Sequence, residues 1–124
     1  MSLHLERLTW MPSPPLVPDE AIDLAHLERM TLGEPALEDE VLSLFAAQSG
    51  ELMRRLHALP ADAAALAHTL KGSARAIGAF RVADAALGVE AALCGRGIVA
   101  ESLAVLEDAV EEARAAIARR QGRG

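Results

Sequence analysis

Between about residues 100 and 119, Leu103, Leu106, Val110, Ala113 and Ile117 recur at spacings of three and four. On an α-helix, which turns about 100° per residue, that spacing gathers them into one apolar stripe; a strand would scatter them over both faces. The pattern occurs three more times. Leu37, Val41, Leu44, Phe45, Gln48, Leu52 and Leu56 mark a helix over about 36–58. Leu66, Leu70, Ser73 and Ile77, with Ala63 beside them, mark one that starts near an N-cap at Asp62 and is ended or bent at Gly78. Val82, Ala86, Val89 and Leu93 mark one from about Phe80 to Leu93, stopped by Gly95 and Gly97. Four amphipathic stripes joined by short connections pack most naturally as an antiparallel four-helix bundle. The fold class expected is therefore all-α, with a short additional N-terminal helix before the bundle. Alanine is frequent on the inner faces, so the helices can approach closely.

The residues before the bundle read differently. Asp23 is placed to cap a short helix through about Met30, with Leu24 and Leu27 inward and His26 off that stripe. Gly33 then breaks the chain, and Pro35 suits a first helical position. Residues 12–18 hold four prolines and read as an extended linker. Residues 1–11 admit two readings, a short amphipathic turn docked on the bundle or a partly ordered tail. The expected organisation is a tail and Pro-rich linker over 1–18, the helical bundle over 19–120, and a frayed end over 121–124.

Composition narrows the function. The 124 residues carry a formal charge of −6, which argues against a nucleic-acid binder that works by phosphate neutralisation. One Trp, two Phe and no Tyr leave no platform for stacking bases. Leucine and alanine dominate and β-branched residues are sparse, again favouring helix. The single cysteine, Cys94, permits no internal disulfide, fits a reducing compartment and lies near an apolar stripe, where packing is expected. There is no apolar run of about eighteen residues to span a membrane and no secretory signal pattern, so the expected location is the cytoplasm.

The chemistry concentrates in His68-Thr69-Leu70-Lys71-Gly72-Ser73-Ala74-Arg75-Ala76-Ile77-Gly78-Ala79. Opposite the Leu66, Leu70 and Ile77 stripe, this helix gathers Ala64, His68, Lys71, Gly72 and Arg75 on its wet face. Glycine inside a helix costs roughly 1 kcal/mol relative to alanine, so Gly72 calls for a reason other than stability. Open space beside His68 is the simplest; a helix packed against Gly72 beside an incidental histidine is the plain alternative. A neutral imidazole, with an unperturbed pKa of about 6.5, is a good nucleophile near neutral pH. No carboxylate occurs on the exposed face of this helix, which leaves it without a built-in general base or a Mg²⁺ site. No P-loop pattern appears.

The His-x-Leu-Lys-Gly-Ser-Ala stretch, followed by Ile-Gly-Ala, resembles the signature of histidine-containing phosphotransfer (HPt) domains of bacterial two-component phosphorelays. Those twelve residues show no departure from it. The likeness extends more loosely from about Ile22, through Ile22-Asp23-Leu24-Ala25-His26-Leu27, to about Ile117. The resemblance implies a four-helix core and a phosphoryl carrier between receiver domains, without autonomous catalysis. It implies His68 as the phosphorylated residue, Lys71 as its electrostatic helper and Gly72 as the clearance residue. It implies no cofactor on this chain, the receiver bringing the aspartate and Mg²⁺. The partners implied are response-regulator receiver domains and a hybrid sensor histidine kinase, with the chain acting as a monomer and binding neither nucleic acid nor membrane. Ala64, Arg75 and Arg81 are the candidate partner contacts; for the two arginines, phosphate contact, pairing with an acidic receiver surface and plain solvation all stay open.

Three rival readings exist. A helical adaptor that never carries phosphate would leave His68 incidental. A kinase dimerisation domain typically has an acidic residue directly after its histidine and a proline soon after, whereas Thr69 follows here and no proline lies beyond Pro60. A metal or haem bundle would need paired ligand spacings, which His4, His26, His57 and His68 do not show.

Overall fold

A computed structural model describes residues 20–122. Five helices follow one another: α1 (Leu24–Met30), α2 (Pro35–His57), α3 (Ala63–Ile77), α4 (Phe80–Leu93) and α5 (Val99–Arg120). The described residues contain no strand. α2 packs on α3, α3 on α4, α4 on α5, and α5 closes the ring on α2, while α1 lies against α3. Ion pairs show the antiparallel sense. Glu38 near the start of α2 meets Arg120 at the end of α5, and His57 at the end of α2 meets Glu107 nearer the start of α5.

Asp23 caps α1 as its sequence position predicts, its carboxylate accepting from the His26 N–H at 3.0 Å. Pro35 opens α2. Gly78 ends α3 rather than bending it, in the left-handed conformation at φ 89°. Its carbonyl accepts the Asp23 N–H at 2.9 Å, and a Cβ at position 78 would come within 2.8 Å of the Asp23 carbonyl oxygen. Glycine is thus required there twice over, and the contact pins the start of α1 to the α3–α4 corner.

The α5 stripe Leu103, Leu106, Val110, Ala113 and Ile117 is buried throughout, as are Val82, Ala86 and Val89 of α4, with Leu93 half-buried. Ala67, Ala74, Ala86 and Ala113 have no exposed surface, so close helix approach is real. Several expected inward residues differ. On α2 the buried set is Leu42, Phe45, Ser49, Leu52, Met53 and Leu56, while Leu37, Leu44 and Gln48 face solvent and Val41 is half-buried. Two stripes compete along this helix, and the one containing Phe45 and Met53 runs unbroken to its end. Ser49 joins that stripe because its hydroxyl donates to the Ala46 carbonyl at 3.2 Å. On α3, Ser73 and Ile77 are only half-buried, and Ala67 and Ala74 take the inner positions. Leu24 is exposed, because a seven-residue helix buries little beyond Leu27.

Asp62 stands at the N-cap of α3 but makes no capping hydrogen bond, lying instead 3.7 Å from Arg55. Cys94 caps α4 and is exposed rather than packed. Where the end of the chain was expected to fray, α5 is helical through Arg120, and the Gln121 amide donates to the Asp39 carbonyl and to Ser43 Oγ, each at 3.0 Å. The tail and linker over 1–18, with His4, and residues 123–124 lie outside the described residues.

Candidate functional site

α3 turns Leu66, Ala67, Leu70 and Ala74 into the core, and the same phase turns Ala64, His68, Gly72 and Arg75 outward. The His68 side chain is 71% exposed. It is not alone. Across the α3–α4 seam, Glu90 Oε2 lies 3.1 Å from His68 Nδ1, and Glu90 Oε1 lies 2.6 Å from Lys71 Nζ. Lys71 is only 13% exposed and Glu90 21%. Glu90 Oε1 is buried and receives no aligned hydrogen bond, so the Lys71 ammonium beside it acts chiefly as its counter-charge.

Burial works to raise the Glu90 pKa. The contacts and charges of Lys71 and His68 outweigh it, and the net effect holds Glu90 below its ordinary value. Glu90 is therefore a carboxylate at neutral pH, able only to accept. The proton in its contact with His68 must sit on Nδ1, which leaves the Nε2 lone pair of the neutral ring free. That lone pair, on a side chain mostly open to solvent, is what a nucleophile requires.

Lys71 thus sits less on the wet face than its helical phase suggested. Gly72 is exposed, and a Cβ built there would meet nothing within 4 Å. The space beside His68 is open, and the chain itself would accommodate an alanine. Arg75 is exposed and its side chain has no hydrogen bond or ion pair among the described residues, while its carbonyl accepts the Gly78 N–H; Ala64 is exposed one turn before His68. Arg81 is not part of this cluster. Its Nη1 lies 3.2 Å from Glu112 Oε1 of α5, and nine residues separate it from Glu90, which puts the two on opposite flanks of α4.

Sequence reasoning missed Glu90 because it considered one helix face at a time. Counting outward from the turn at 78–79 places residue 90 level with 67–68 on the antiparallel neighbour, and that register was the available signal. The other two histidines among the described residues are occupied elsewhere. His26 Nε2 is 3.1 Å from the Ala76 carbonyl and its ring meets Phe80 edge-on at 5.1 Å, while His57 Nε2 is 3.4 Å from Glu107. Among the described residues no group of three or more His, Cys, Asp or Glu is placed to hold a metal ion. No helix among them is long and apolar enough to cross a membrane.

The fold and the site together define a helical bundle that presents an exposed histidine whose Nδ1 meets a carboxylate. The family model for the Hpt domain matches residues 40–119, and the chain belongs to the Hpt domain family. No curated protein and no solved structure matches the chain. Hpt domains are histidine phosphotransfer modules of phosphorelays, phosphocarriers rather than catalysts, that interact with response-regulator receiver domains and kinases.

Proposed function

We propose that His68 accepts a phosphoryl group from the aspartyl phosphate of one receiver domain and passes it to another. The observation that carries this reading is the exposed imidazole whose Nδ1 is engaged by a carboxylate. The Nε2 lone pair forms the N–P bond as the P–O bond to the receiver aspartate breaks, and that electron pair returns to the aspartate. The ring keeps its Nδ1 proton and becomes cationic beside Glu90, which stabilises the developing charge. Return transfer reverses each of these changes. No proton has to leave the chain.

The receiver brings the aspartate and the Mg²⁺, and this chain contributes the nucleophile without autonomous catalysis or a cofactor of its own. Lys71 acts as a nearby charge and through Glu90, whose ionised form it maintains. Gly72 gives clearance to the approaching receiver. Ala64 and Arg75 flank His68 and contact the partner. Arg81, on the far flank of α4, is the outlying member of the partner-binding set. The chain works as a cytoplasmic monomer, fed by a hybrid sensor histidine kinase through its receiver.

The test is label transfer from a panel of phosphorylated receiver domains to the parent protein and to His68→Gln. The parent should acquire acid-labile, base-stable phosphate from at least one receiver, and His68→Gln should acquire none while unfolding at nearly the parent temperature. Undiminished labelling of His68→Gln would move the site to another residue. A parent that takes no label from any receiver would leave a helical adaptor as the reading.

A further inference from the structure

Resting on that reading, we infer that the phosphoryl group carried on His68 Nε2 is met directly by the Arg75 guanidinium, while Lys71 remains with Glu90. Two observations point the same way. The first concerns Lys71. Its ammonium lies 2.6 Å from a buried Glu90 oxygen that has no other partner, and the side chain is mostly covered. Swinging out to a phosphate would leave that oxygen buried without a counter-charge, a costly arrangement. The imidazole geometry adds to this. Nδ1 faces Glu90, so Nε2 and anything bonded to it lie on the ring edge turned away from the Lys71–Glu90 pair.

The second concerns Arg75. It lies seven residues after His68, about 20° from the same helical phase and about 10.5 Å further along the axis. Side chains on a helix lean toward its N-terminus, so an arginine at position 75 has the direction and the length to reach back over the intervening turn toward a group carried on His68. That turn presents Gly72, which has no side chain to block the path and open space above it. Arg75 is exposed, and its side chain has no ion-pair or hydrogen-bond partner among the described residues that it would have to leave. A guanidinium offers paired N–H donors matched to phosphoryl oxygens, where an ammonium offers a point charge. Gly72 thereby serves a purpose inside the chain as well as toward the partner: it is the corridor between the phosphoryl group and its cation.

The test separates this contact from a docking role by omitting the receiver. The full chain is phosphorylated chemically with inorganic phosphoramidate, and the ³¹P shift of the histidine-bound phosphoryl group is followed against pH in the parent, Arg75→Ala and Arg75→Lys. Glu90 and Lys71 are present in all three. A guanidinium in contact favours the dianion, so Arg75→Ala should raise the ³¹P midpoint by about half a pH unit. Arg75→Lys should fall between the two. With a receiver added, Arg75→Ala should accept phosphate about fivefold more slowly, the scale of one exposed charge pair. Coincident ³¹P midpoints for the parent and Arg75→Ala overturn the inference, even if transfer from the receiver slows, because that combination describes a docking arginine. A parent whose His68 takes phosphate from neither phosphoramidate nor any receiver removes the underlying reading and this inference with it.

Discussion

Glu90 is the residue on which the site turns, since its two carboxylate oxygens pair with His68 and with Lys71. Its charge and its hydrogen-bond acceptor can be separated by substitution. Glu90→Gln offers a carbonyl oxygen to the Nδ1 proton but no negative charge to the ring as it becomes cationic. Single-turnover transfer should fall about tenfold, the effect of about 1.4 kcal/mol at the transition state. The pH dependence has a definite sign. The Glu90 pKa is depressed in the folded chain, so the stability it contributes is full above the unfolded-state value and is lost as pH falls through the lowered folded value. Denaturant unfolding of the parent and Glu90→Gln should therefore differ at neutral pH and converge in acid. A difference that grows on acidification would contradict the carboxylate role.

At the scale of the helix, α3 carries an apolar inner face and a reactive outer one, and Gly72 belongs only to the second. Nothing lies within 4 Å of a Cβ at that position, so Gly72→Ala should raise stability by up to roughly 1 kcal/mol from helix propensity alone. Its transfer rate should nonetheless drop, because the added surface meets the incoming receiver. Thermal unfolding and transfer kinetics on the same variant check both halves; a stabilised variant that transfers at the parent rate would remove the clearance role. Helices with a single strong stripe were legible in the sequence. α4 begins at Phe80 and ends at Leu93 as its periodicity predicts, and every expected inner residue of α5 is buried. α2 was not, because Leu37, Val41, Leu44 and Gln48 compete with Leu42, Phe45, Ser49 and Met53 for the inner face. Which stripe wins depends on the neighbours: the rotation that buries Leu42, Phe45 and Met53 against the other helices also brings Glu38 to Arg120 across the α2–α5 seam.

For the whole molecule, the bundle places the reactive seam between α3 and α4 and closes itself on the opposite side through α2 and α5. The candidate site was legible in part for the same reason. His68, Gly72 and Arg75 share one helix face, which local spacing reveals, whereas the Glu90 contact exists only once two helices are laid side by side. Lys71 shows the consequence: a cation read from one helix as a free helper is, in the assembled bundle, the partner of a carboxylate on the next. In the proposed function the fold therefore decides which imidazole nitrogen reacts, and that is the central claim. It is tested by phosphorylating protein that carries ¹⁵N-labelled histidine and locating the phosphoryl group by ¹⁵N–³¹P NMR. The account predicts phosphate on Nε2 of His68, with the Nδ1 proton retained. Phosphate on Nδ1, or on His26 or His57, would contradict it.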